Sequence, residues 1–509
     1  MRWEVFAVGA LMLLAGPAEA QPPAVPPSAE QIGAAQQALA TLDEDRIESD
    51  QAYAGAIAGH LYVVLAAPGV SEAQRAGLRY ALVVILAQAG RHDRAQEAAE
   101  ALLREQPGDR RAYDVALLAA QRAERWPRVA VLVERGLAAL SPEDEAELFS
   151  PAKVSGHLRA VPEADGESRA RIAEALLAAG WPAETEPPSA ADWLRLILID
   201  RALEVGETGT ARRFAGQVQG LGAALQLATS RRYDALVSDA DRLASVRSAI
   251  EREDRSTAAR LAADPEDSLR LIDRATFLRS IGRDQAVLDL LLPVMSDVRI
   301  VAGRHERALW LVNEAAYSLI ATGAAGEAVE LMRPLFTMDL DANPELVNTS
   351  INFVGILWQA GQAEEALQRA ESFMTDGAQH ASDYGRMWIS ANAVCAATDL
   401  RRSADAEAWL QRMSAIADSN RSAMLQALLC RGDLDSAEPV LLRALEDERN
   451  RGSAILWLQD YQPPAHGVAA QRLREAFLRL RARPAVEAAL ARLGHRLSLP
   501  IPAVIYGWY

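Results

Sequence analysis

The sequence predicts an all-α protein built as a solenoid of stacked antiparallel helix hairpins with divergent units. Three observations predict it. A glycine followed five positions later by an alanine recurs between apolar stretches, as Gly90/Ala95, Gly206/Ala211, Gly323/Ala328, Gly361/Ala366 and Gly432/Ala437. The apolar residues around each pair fall at helical spacing. Alanine, leucine and arginine are abundant while aromatics make up 6% of the chain, a composition that favours helix.

Each hairpin follows one logic. In Ala76 to Pro107, Leu78, Leu82, Val83, Ile85 and Leu86 form one apolar helical face. Gly90 ends that helix, as a residue without a Cβ can. Ala95, Ala98, Ala99, Leu102 and Leu103 form the second face, and Pro107 stops it. Ala95 is small because the two helices approach most closely there. The next unit runs from Arg110 to Pro142, with Tyr113, Ala116 and Ala120 inside and Trp126 at the turn.

Asn313 to Leu335, Phe353 to Phe373 and Met424 to Leu445 repeat the scheme. Gly282 heads a near copy whose alanine, Ala286, comes one residue early. Trp388 to Ile416 lacks the turn glycine and carries Ala404 and Ala406 instead. Weaker units surround Leu198 to Val218 and Arg231 to Leu243, the latter with Tyr233 at its turn.

This spacing of turn glycine, small residue and terminal proline resembles the tetratricopeptide repeat, two antiparallel helices in about 34 residues. The resemblance implies protein–protein interaction. It also implies attachment to an envelope machine, polysaccharide secretion and outer-membrane assembly being the usual settings.

The layout follows from composition. Residues 1–20 read as a signal peptide: Arg2 gives a positive start, Val5 to Ala15 are apolar, and Ala18-Glu19-Ala20 is a cleavage site before Gln21. That apolar run is too short to span a bilayer, so the expected location is the periplasm or outside the cell. Residues 21–30 form a proline-rich leader, 31–180 an N-terminal set of repeats, 190–495 a C-terminal array and 496–509 an apolar tail. A break is expected near Trp181 to Ser189, where prolines and acids interrupt helicity. With no anchor expected at either end, attachment is expected to come through a partner.

The net charge of −16 argues against nucleic acid as a partner. The histidines (His60, His92, His157, His305, His380, His466 and His495) show no metal-ligand spacing. Nucleophile elbows and phosphate loops are missing, and Lys153 is the single lysine. The expectation is no catalytic residue, no cofactor and no metal. Cys395 and Cys430 are expected as two small buried residues, because equivalent sites on adjacent repeats usually lie beyond the ~7 Å limit for a bridge. A disulfide is the alternative.

Six aromatic residues are the candidate partner-binding set. Trp310, Trp358, Trp388 and Trp409 lie in the later repeats, where they line a groove that stacks on sugars or grips peptide side chains, or else fill the core. Tyr506 and Trp508 lie in the tail, whose Ala503 to Tyr506 stretch is β-prone. The tail is expected to fold back and cap the last apolar face, with docking on a partner as the alternative. The functional expectation is a non-enzymatic periplasmic scaffold mediating protein–protein interaction in cell-envelope assembly or polysaccharide secretion. A solenoid binding carbohydrate or an acidic polymer is one alternative, and a wall-active enzyme with a superhelical body is another.

Overall fold

A computed structural model describes residues 26–182, 186–295, 298, 308–463 and 466–502. Among them the protein is an all-α array of antiparallel hairpins with one small two-stranded sheet. The chain divides into two compact units. The first runs to Glu186 and takes in Trp193–Phe214; the second comprises Pro187–Asp192 and the chain from Ala215. Each has its own apolar core.

The first unit holds α1 (Ala29–Ala40), α2 (Glu44–Ser49), α3 (Gln51–Leu65), α4 (Glu72–Gln88), α5 (His92–Glu105) and α6 (Arg110–Arg122). It continues through α7 (Trp126–Ala139), α8 (Pro142–Leu148), α9 (Pro151–Ala160), α10 (Gly166–Ala178), α11 (Asp192–Glu204) and α12 (Thr208–Ala215). Capping boxes start α1 and α4: the Ser28 and Ser71 side chains accept from the backbone of Gln31 and Gln74, whose side chains reach back to the caps.

The second unit begins with α13 (Leu221–Thr229), α14 (Arg242–Ala263), α15 (Ser268–Ser280) and α16 (Asp284–Leu291). It continues through α17 (Leu309–Ala321), α18 (Ala325–Met332), α19 (Val347–Gln359), α20 (Ala363–Asp376), α21 (Asp383–Asp399) and α22 (Ser403–Ser414). Then come α23 (Arg421–Arg431), α24 (Leu434–Glu446), α25 (Glu448–Trp457), β1 (Asp460–Gln462), α26 (Val468–Arg481), α27 (Pro484–Leu493) and β2 (Ser498–Pro502).

One turn builds the hairpins. At Gly90 the backbone turns left-handed, with φ 69°. Its N–H donates to the Ala87 carbonyl, and the next N–H, that of Arg91, donates to Leu86 at 2.9 Å. This closes the last turn of α4 as a Schellman motif. The same pair of bonds recurs at Gly206, Gly282, Gly323, Gly361 and Gly432. Five positions on, Ala95, Ala211, Ala328, Ala366 and Ala437 are each fully buried, where the two helices touch.

Three readings of single units change. In the Gly282 unit the packed residue is Val287, at the regular fifth position, while Ala286 beside it is only partly buried. The unit from Trp388 has a turn after all: Arg401 takes the left-handed conformation at φ 59°, and Ala406, five positions later, is buried. Glu124 does the same at φ 54°, with Val129 buried. Tyr233 marks no hairpin turn, because it ends a short 3₁₀ stretch and α14 starts only at Arg242.

The cysteines also differ from expectation. Cys395 on α21 and Cys430 on α23 form a disulfide, their Cα atoms 5.1 Å apart. Both lie on the first helices of adjacent hairpins, which pack directly. Ala391 and Ala427, fully buried about one turn earlier on the same faces, allow that close approach.

In the second unit two of the first helices, α17 and α21, are enclosed along most of their length. Residues 311–320 of α17 and 389–397 of α21 are buried without a break, the mark of helices covered all round. The C-terminal elements supply part of the cover. α26 packs on α19 and α23, and α25 packs on α13, so the last helices meet the first helix of the unit. Around this seam the His495 N–H donates to Thr229 O at 2.7 Å, and Arg231 Nε donates to Ala491 O at 2.7 Å. β2, the start of the predicted tail, pairs in parallel with β1 and buries Leu499 and Ile501.

Candidate interaction site

The four predicted tryptophans do not gather. Trp358 and Trp409 are buried, at 4% and 2% exposure, Trp388 is half-buried against the core, and Trp310 stands 43% exposed. Trp358 Nε1 donates to Asp399 at 3.0 Å, and the Arg412 guanidinium covers the Trp409 ring at 4.5 Å. No ring contact joins any two of the four among the described residues. Tyr506 and Trp508 lie outside the described residues.

A cleft of about 610 Å³ opens at the seam of the second unit. α14 contributes Glu253 and, one turn on, Thr257, while α15 contributes Asp273 and Ser280. Leu456 and Ile501 provide apolar wall from α25 and β2. Glu253 accepts from the Leu221 N–H at 2.7 Å, and Asp192 accepts from the Gly220 N–H at 2.6 Å. Both carboxylates therefore serve the N-terminal end of α13, where unpaired N–H groups and the helix dipole favour negative charge. Burial pushes the Glu253 carboxyl above its usual range; hydrogen bonds from the Leu221 N–H and the Ser189 side chain only partly oppose that, and the nearby Asp192 and Asp273 charges add to it. Asp273 is held by Arg260 at 2.9 Å. Glu253 and Asp192 thus fix the start of α13, and Asp273 ties α15 to α14.

The first unit presents a different surface. Its helices stay amphipathic. Val84 and Gln88 on α4, and Asp114, Leu118 and Gln121 on α6, are half-exposed among buried neighbours at helical spacing. α9 adds Lys153 and His157, one turn apart. Lys153 Nζ reaches Asp114 at 3.3 Å, and Asp114 also pairs with Arg110 at 3.2 Å. Gln121 Nε2 lies 2.8 Å from His157 Nδ1. The amide donates there, so the ring proton is assigned to Nε2, which meets no acceptor and is itself buried.

Burial lowers the His157 pKa; Asp114 opposes that and Lys153 adds to it. The imidazole is therefore neutral at neutral pH. A buried donor without a partner requires an explanation, and a ligand that accepts from it is one. From sequence, Lys153 stands out only as the single lysine and His157 as one of the histidines without metal-ligand spacing. The available signal was their spacing of four on a helix, matched by polar residues seven apart on α6.

Among the described residues no group of three or more His, Cys, Asp or Glu side chains could hold a metal ion. Among the described residues no helix is long and apolar enough to cross a membrane. No protein-family model matches the chain, and no curated protein matches it.

Proposed function

We propose that the protein is a non-enzymatic scaffold of the cell envelope, working in the periplasm or outside the cell, and that the first unit holds its partner along the stripe from Asp114 to His157. One observation carries this reading: a half-buried polar row crosses helices α6 and α9 and includes an unpaired donor at His157 Nε2. Stacked hairpins suit the task, because they offer a long preformed face to an extended peptide and spare it the cost of ordering that face. In the second unit the corresponding helices α17 and α21 are buried along most of their length.

The setting is drawn from two features. A disulfide between Cys395 and Cys430 persists in oxidising compartments and is rare in reducing ones. The first twenty residues carry the charge, apolar run and small-residue site of an export signal. Envelope assembly or polysaccharide secretion is the process we assign.

Photocrosslinking in the native envelope tests the reading. A photoreactive residue at Leu118 is expected to capture one distinct protein that the same residue at exposed Val468 does not. Identical captures from both positions would overturn it.

A further inference from the structure

A second surface lies between two hairpins of the second unit. The segment joining α18 to α19 faces α20 across a cavity of about 320 Å³, within the size range of ligand pockets. Its floor is apolar: Phe336 and Phe353 stack with ring centroids 4.0 Å apart, and Phe373, Met338 and Leu340 close the sides. The recess opens to solvent, and Phe336, Met338 and Leu340 are partly exposed in it, so an apolar side chain seated there would cover them.

Acidic side chains outnumber basic ones at the mouth. Asp339, Asp341 and Asp376 surround it, all exposed, against one cation, Arg369. Arg369 lies 3.7 Å from Glu365. Asp341 meets His380 at 2.8 Å. Asp339 accepts from the Asp341 backbone N–H, and neither it nor Asp376 has an ion pair among the described residues. An apolar hole beside two carboxylates without an ion pair, Asp339 and Asp376, complements a large apolar side chain with cations on either side.

We infer that this cavity docks a segment of a partner protein that carries one bulky apolar side chain flanked by lysine or arginine. The inference rests on the scaffold reading but on a different surface, so the two can fail separately.

The test uses the full chain and three synthetic peptides followed by calorimetry. Ac-Gly-Lys-Phe-Lys-Gly-NH2 is expected to bind, and its affinity to fall with salt. Ac-Gly-Glu-Phe-Glu-Gly-NH2 and Ac-Gly-Lys-Ser-Lys-Gly-NH2 are expected to bind at least about tenfold more weakly. Asp339→Asn with Asp376→Asn should weaken the basic peptide by about tenfold or more. Ser372→Trp, at an exposed position on the rim, should abolish binding while leaving the melting curve unchanged.

Equal affinity for all three peptides, or wild-type binding by Ser372→Trp, overturns the inference. Phenethylammonium binding as tightly as the basic peptide overturns it too, in favour of a free amine. Crosslinks from Leu118 that persist in Ser372→Trp leave the scaffold reading standing when this one falls.

Discussion

Cys395 and Cys430 join the first helices of two neighbouring hairpins at a Cα separation of 5.1 Å, with 35 positions of chain between them. That loop contains a whole helix, α22, and both of its connections. The bridge therefore removes freedom from the unfolded chain across one full repeat.

Loop-closure entropy for a loop of this length amounts to about 3–4 kcal/mol. Cys395→Ala with Cys430→Ala should lower the unfolding free energy by up to that amount, since alanine leaves no buried hydroxyl behind. Chemical denaturation of the oxidised protein, the reduced protein and the double variant checks it. Coincident curves for all three would exclude a contribution from the bridge.

The buried alanine five positions after each turn is the packing point of the hairpin. Ala328 and Ala366 are fully buried, so leucine at either site has to displace a facing helix. The expected loss is about 1–3 kcal/mol. Thermal melts read it, and a leucine placed at exposed Glu364 serves as the comparison.

The turns themselves predict a pair of opposite effects. Gly432 at φ 71° and Arg401 at φ 59° occupy the same position in neighbouring hairpins. A side chain in the left-handed region costs roughly 1–2 kcal/mol, and glycine escapes that cost while adding freedom to the unfolded chain. Gly432→Ala should therefore destabilise by about 1 kcal/mol, and Arg401→Gly should stabilise by a few tenths of a kcal/mol to about 1 kcal/mol. Denaturation midpoints with unchanged slopes would confirm that native geometry is the cause.

These turns also explain which parts of the fold could be read in advance. Periodicity and glycine spacing located most hairpins, because a Schellman turn demands a positive φ and glycine supplies it most cheaply. Arg401 and Glu124 hid two turns, since nothing in a single sequence announces a left-handed arginine or glutamate. The seam was hidden for another reason. Thr229 and His495 meet across more than half the chain, and no local pattern encodes such a contact. The polar stripe was missed because Asp114, Gln121, Lys153 and His157 converge only once α6 and α9 are packed together.

The seam has its own test at Gly494. A Cβ built there would lie 2.8 Å from the Thr229 carbonyl oxygen and 2.9 Å from Ile455 Cγ2, so backbone would have to move. The glycine is extended, with φ −151°, and its need is for space alone. Gly494→Ala should cost about 1–3 kcal/mol and should speed hydrogen exchange first at α13 and α25. Uniform exchange at unchanged stability would show that the ends of the second unit do not depend on this contact.

The last prediction links pH to the proposed partner face. Burial lowers the pKa of His157 below its ordinary value of 6.5, so the folded state resists a proton that the unfolded chain accepts. Fewer protons bound in the native state means that stability rises with pH through this window. The contribution is complete above about pH 6.5 and is lost as pH falls through the lower folded-state value. His157→Gln can keep a hydrogen bond to Gln121 without titrating, so its stability should be flatter from pH 7 down to 5. A partner group that accepts from Nε2 would need the neutral ring for the present arrangement, in which Gln121 holds Nδ1. Capture from Leu118 should therefore weaken over the same pH range in wild type and change less in His157→Gln. Parallel pH profiles in the two proteins would separate His157 from both stability and capture.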